Sequence, residues 1–78
     1  MTKEEIIPYA TTITYTNQRT VILLKSGVEV VGFFDGNNDK NLTEQNKWNF
    51  VVFPPTEPQK LTQFNGDDFL SIKIVNIR

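Results

Sequence analysis

Asp35, Asn37, Asp39 and Asn41 set four oxygen-bearing side chains at alternate positions, the spacing at which a calcium loop presents its ligands. The pattern then fails. Lys40 stands where the sharp-turn glycine belongs, and Asn46 stands where a bidentate Glu would close the shell. An Asn- and Asp-rich loop is the plainer reading. Asp67-Asp68 is an adjacent carboxylate pair directly after a turn. Adjacent strand residues point to opposite faces, so the pair reads as turn chemistry rather than as an acid–base couple. Asn41-Leu42-Thr43 is a formal glycosylation sequon that has meaning only behind a secretory signal. Phe33, Phe34, Trp48, Phe50, Phe53 and Phe64 are a pool of rings on which bases could stack. Lys40 and Lys47 are the only basic residues near them in sequence, and a small domain needs most of these rings for its core.

The residue types that are missing narrow the chemistry further. Histidine and cysteine are both absent. The usual general base near neutral pH, the commonest metal ligand, the thiolate nucleophile and the disulfide are thereby removed. The composition points to a non-enzymatic protein without a cofactor. Eight basic and nine acidic residues give a net charge of −1, so no global basic field draws in nucleic acid. No DNA partner is expected. Met-Thr-Lys-Glu-Glu-Ile-Ile-Pro lacks the apolar core of a signal peptide, and no apolar run approaches the length of a membrane span. A cytoplasmic location and no membrane partner are the expectations. The 78 residues make one domain with a marginal core, for which oligomerisation is a common remedy.

The elements that would position these residues are mostly strands. Thr20 to Phe34 holds two apolar, β-branched and aromatic runs on either side of Ser26-Gly27, a hairpin signal. Gly32 interrupts the second run and predicts a bend or a close backbone approach. Strands are predicted near 20–25, 28–34, 48–53, 59–64 and 69–77. Pro54, Pro55 and Pro58 end the third, and Asn65-Gly66 reads as a tight positive-φ turn before the fifth. Asn17-Gln18-Arg19 reads as a polar turn, and residues 35–47 as a long polar loop. Thr2 with Glu5 fits a capping box for a short helix near 2–10, although Pro8 opposes a long one. Residues to Thr16 are undecided between helix and strand within the N-terminal segment 1–16. Leu23 and Ile72 are the expected core positions. In the first strand both faces are apolar, so both need cover. Five strands in meander order predict a mainly β, strongly bent antiparallel SH3-like small barrel, with an OB-fold as the alternative.

Within this frame the chain resembles the Sm-like family of small barrels, whose members assemble into rings and commonly bind RNA. Val21-x-Leu23-x-x-x-Gly27 followed by Val31-Gly32-x-Phe34 is similar to the family's first motif. Two placements are open for its later Asp and Asn: Asp39 with Asn41-Leu42, or Asp39 with Trp48-Asn49-Phe50 after an insertion. The second gives the better third strand. Phe64-Asn65-Gly66-Asp67 is similar to the second motif, with Asn65 where the family usually has a nucleotide-contacting Arg.

The resemblance implies an Sm-like binding module, homo-oligomeric and ring-forming, that holds single-stranded RNA. Asp39, Asn49, Asn65 and Asp67 would make the polar contacts, with Trp48 or Phe34 as a stacking surface. The low positive charge and Asn65 predict that any such binding is weak. The same features favour a second reading, a protein-interaction or structural scaffold on the same barrel that binds no nucleic acid.

Overall fold

A computed structural model describes residues 1–11, 17–35, 38–53 and 61–76. Residues 12–16, Gly36 and Asn37, the prolines at 54, 55 and 58, and the expected strand ends at 59–60 and 77 lie outside the described residues. The chain forms a helix α1 (Lys3–Ala10), strands β1 (Gln18–Leu24) and β2 (Glu29–Phe34), and a short helix α2 (Lys40–Glu44). Strands β3 (Lys47–Val52), β4 (Leu61–Asn65) and β5 (Phe69–Asn76) follow, with a 3-10 turn over Gly66–Asp68 between the last two. The five strands make one antiparallel sheet in the order β4-β3-β2-β1-β5. This is the mainly β, strongly bent small-barrel arrangement that the alternation predicts, except that β5 pairs with β1 instead of following β4 as a simple meander would place it.

The bend is built at Gly32. This residue lies opposite Thr20 of β1 and also opposite Val52 of β3. The first half of β2, Glu29 to Gly32, therefore pairs with β1, and the second half, Gly32 to Phe34, pairs with β3. A Cβ at position 32 would collide with the carbonyl oxygen of Val51 and lie 2.8 Å from Cε2 of Phe50. Glycine is needed here for room, not for φ. At the β1–β2 turn the requirement is the other one: Gly27 has φ +91°, and its N–H donates to the Leu24 carbonyl (2.9 Å).

Ile22, Trp48, Phe50, Phe69 and Ile72 form the core inside the bent sheet, and Ile6 of α1 closes it as a plug. Four edge-to-face or tilted ring pairs link Phe34, Trp48, Phe50, Phe64 and Phe69. Ile72 is a core residue as expected. Leu23 is half-buried and lies outside the core cluster, because Ile22, its neighbour on the other face, points inward. The outer face is apolar too: Val21 and Val51 are only 6% and 4% exposed although neither belongs to the core cluster. On this side of the barrel the Arg19 guanidinium carbon sits 4.1 Å from the centroid of the Phe53 ring.

Three local expectations are corrected. Gln18 and Arg19 belong to β1, where they pair with Asn76 and Val75, instead of forming a turn. The polar stretch before β3 contains α2, capped by the Asp39 carboxylate, which accepts from the Asn41 N–H (2.7 Å). Asn65-Gly66 is not a positive-φ turn, since Gly27 is the glycine with positive φ among the described residues. Asn65 instead caps the 3-10 turn, its Oδ1 accepting from the Asp67 N–H (3.1 Å).

Helix α1 opens with the expected capping box. The Thr2 N–H donates to Glu5 Oε1 (2.9 Å) and the Glu5 N–H donates to Thr2 Oγ1 (3.3 Å). The hydrogen bond from the Thr2 backbone, then that from its side chain, lowers the Glu5 pKa below its ordinary value. A lowered folded-state pKa adds stability above the ordinary carboxylate range, and this is lost as pH falls through the folded value. Glu5→Gln should therefore flatten the acid side of the thermal-midpoint profile. A profile identical to wild type would dissociate Glu5 from the cap. For the barrel itself, Ile72→Ala should cost about 2–5 kcal/mol and Gly32→Ala about 1–3 kcal/mol in urea unfolding. An unchanged midpoint for Gly32→Ala would show that β2 does not need its close approach to β3.

Candidate functional site

The polar residues singled out in the sequence gather at one end of the barrel, where α2, the start of β3 and the 3-10 turn meet. Asn46 organises this end. It follows the C-cap of α2, has φ +59°, and its N–H donates to the Thr43 carbonyl (2.9 Å). An asparagine tolerates the left-handed conformation better than most residues, and it is a recurrent residue just past a helix end. Its carboxamide is used on both sides. Oδ1 accepts from the indole N–H of Trp48 (2.9 Å), while Nδ2 donates to the Met1 carbonyl (2.9 Å) and to Asp67 Oδ1 (3.2 Å). Its own carbonyl accepts from the Gly66 N–H (2.7 Å). The Met1 amino group in turn donates to the carbonyls of Gly66 and Phe69, each at 3.0 Å.

A second side chain does backbone work beside it. Asn38 Oδ1 accepts from the Asn49 N–H (2.7 Å), and Asn38 Nδ2 donates to the carbonyls of Asp35 (2.7 Å) and Asn49 (3.3 Å). The carboxamide thus extends the β2–β3 ladder by one more pairing past Phe34. The Asp35 N–H also donates to the Asn49 carbonyl (3.1 Å).

The sequence-predicted contact residues fare differently in this arrangement. Trp48 is 2% exposed and its ring packs in the core, so it has no open face for stacking. Phe34, half-buried, packs edge-on against Trp48 and Phe50. Asp39 caps α2 and Asn65 caps the 3-10 turn, while Asp67 accepts from Asn46. Asn65 lies directly across the β3–β4 ladder from Lys47. Asn49 is half-buried, opposite Gln63, and its carboxamide has no hydrogen-bond partner among the described residues. It is the polar member of the set whose side chain takes no part in holding the local backbone. Asn46 and Asn38 hold the end together, and the sequence motifs point to neither as a contact residue. The signal for Asn46 was present as the asparagine closing a helix whose N-cap is Asp39.

Among the described residues no group of three or more His, Cys, Asp or Glu side chains is placed to hold a metal ion. No helix among them is long and apolar enough to cross a membrane.

Removing the Asn46 side chain should expose how much rests on it. Asn46→Ala leaves the buried indole N–H without its acceptor, a loss of about 1–3 kcal/mol. It also forces an alanine into the left-handed region, about 1–2 kcal/mol more. Asn46→Gly incurs the first loss without the second and should fall between wild type and alanine in urea unfolding. If alanine and glycine are equally stable, the backbone at Asn46 is not under the constraint described.

Comparison with protein-family models, with curated proteins and with solved structures finds no match to this chain.

Proposed function

We propose that the chain is a non-enzymatic binding module of Sm-like type that self-associates through the free edges of its sheet. One observation carries this reading. The sheet ends in β4 on one side and β5 on the other, and among the described residues each of these strands has a single partner strand. Along β5 the apolar Leu70 is 58% exposed. An open strand edge with an apolar side chain invites pairing, and β4 of one copy against β5 of the next would satisfy both edges in a repeating, ring-forming manner. The resemblance of the two motifs to Sm-like proteins supports the same arrangement.

On this reading single-stranded RNA is the ligand, held weakly at the Asn-rich end. The Asn49 carboxamide offers a donor and an acceptor to a base edge, and Lys47 beside Asn65 supplies positive charge. Asp39 and Asp67 line the same end, but their carboxylates are committed to Asn41 and Asn46. That commitment is the observation favouring the second reading, a scaffold whose partner is a protein. With neither histidine nor cysteine and no acid–base couple among the described residues, neither reading requires catalysis.

Light scattering at micromolar concentration should give an oligomeric mass, and a monomer would overturn the assembly. Titration with oligo-U and oligo-A at low salt should show weak binding that Asn65→Arg strengthens. Absence of binding in both proteins would leave the scaffold reading. Nanomolar binding by wild type with no gain from Asn65→Arg would place the RNA contact elsewhere.

A further inference from the structure

A hollow of about 310 Å³ opens between the last turn of α1, the residue after β2, α2 and the start of β3. Ile7, Ala10 and Trp48 form its apolar wall. Ile7 is 43% exposed, whereas the residue before it on α1, Ile6, is fully buried. Exposed apolar surface in a concavity, unlike a lone residue on a convex one, marks a place where a ligand removes area from water.

The polar residues of the hollow sort cleanly. Thr11 Oγ1 donates to the Ile7 carbonyl (2.9 Å) and Thr43 Oγ1 donates to the Lys40 carbonyl (3.0 Å). Asn38 uses its whole carboxamide on Asp35 and Asn49. Asp35 is different. Its backbone is held on both sides, yet its carboxylate has neither a hydrogen-bond nor an ion-pair partner among the described residues. It is half-buried and, among the described residues, is the one formally charged residue lining the hollow. A carboxylate beside apolar walls is partly stripped of water, which strengthens its attraction for a cation.

We propose that this hollow is a binding site for a small organic monocation, an ammonium carried on an apolar or aromatic body. The ammonium pairs with Asp35, and the body covers Ile7 and Ala10 against the edge of Trp48. The fixed backbone of Asp35, clamped by Asn38 and Asn49, holds the carboxylate in place before the ligand arrives. The hollow uses neither sheet edge and meets the proposed RNA contact only through the Asn49 backbone, so Asp35→Asn tests this site and Asn65→Arg tests the proposed module.

Trp48, the only tryptophan of the chain, lies in the wall and provides the readout. Phenethylammonium, the neutral phenethyl alcohol and the anionic phenylacetate are titrated while indole emission and amide NMR shifts are followed. Phenethylammonium should bind saturably, moving the amides of Ile7, Ala10, Asp35 and Thr43, with the alcohol weaker and phenylacetate without effect. Asp35→Asn should weaken the cation about tenfold, the scale of one charge-assisted hydrogen bond, and leave the alcohol unchanged. Ile7→Ala, an exposed position whose loss the fold tolerates, should weaken both ligands a few-fold. Far-UV circular dichroism verifies that each variant is folded. The site is refuted if folded wild type shows no saturable response to phenethylammonium. It is refuted equally if phenylacetate binds as well, or if Asp35→Asn retains full affinity for the cation.

Discussion

The close approach of β2 to β3 at Gly32 is the constraint on which the rest of the molecule depends. A strand that must serve two partners at an angle has to turn its pairing from one to the other within a residue or two. Here Gly32 lies in both ladders, with the Val51 carbonyl where a side chain would begin. Because the turn happens there, the inner residues of β1, β3 and β5 converge on one small volume. A chain of this length can then bury Ile22, Phe50, Phe69 and Ile72 together. A flat sheet of the same strands would leave each of them with one wet side.

The opposite end of the barrel is solved by side chains imitating backbone. Asn38 extends a ladder, while Asp39 and Asn65 cap helical turns. Asn46 joins α2, the indole of Trp48, the 3-10 turn and Met1 ahead of α1. Each Asx group is short enough to reach a neighbouring amide without a flexible stem, so order is gained with little loss of rotamer freedom. Their abundance here reflects a junction of several chain ends more than a site waiting for a ligand, with the Asn49 carboxamide and the Asp35 carboxylate unpaired among the described residues.

What was legible in the sequence was whatever depends on period and punctuation. The alternation along β3 and β5, the Ser26-Gly27 hairpin and the Thr2–Glu5 box all announce themselves locally. The facing of β1 did not, since Val21, Ile22, Leu23 and Leu24 are apolar on both sides and carry no phase. Only the bend and the plug residue Ile6 decide that Ile22 goes inward. Helix α2 escaped because Lys40-Asn41-Leu42-Thr43-Glu44 has no apolar stripe, and only its capping aspartate betrays it. Trp48 was drawn toward a ligand role by its type. Its burial follows from packing among Phe34 and Phe50, which no spacing rule reveals. Asn65-Gly66 was read through the conformational freedom of glycine, whereas Gly66 is needed because a Cβ would sit 2.6 Å from Cγ of Asn46 and from Cδ1 of Ile6.

That same dipeptide bears on how the protein ages. Asn-Gly sequences lose ammonia readily in flexible chains, because the glycine nitrogen swings round to attack the asparagine side-chain carbonyl and close a succinimide ring. In this fold Asn65 has ψ +123°, which carries the Gly66 nitrogen away from its own side chain. The nitrogen is further engaged with the Asn46 carbonyl, Asn65 Oδ1 is held by the Asp67 N–H, and Gly66 is buried. The packing of one asparagine against one glycine therefore protects the neighbouring asparagine from covalent decay. The chemical lifetime of the turn is tied to the fold that encloses it.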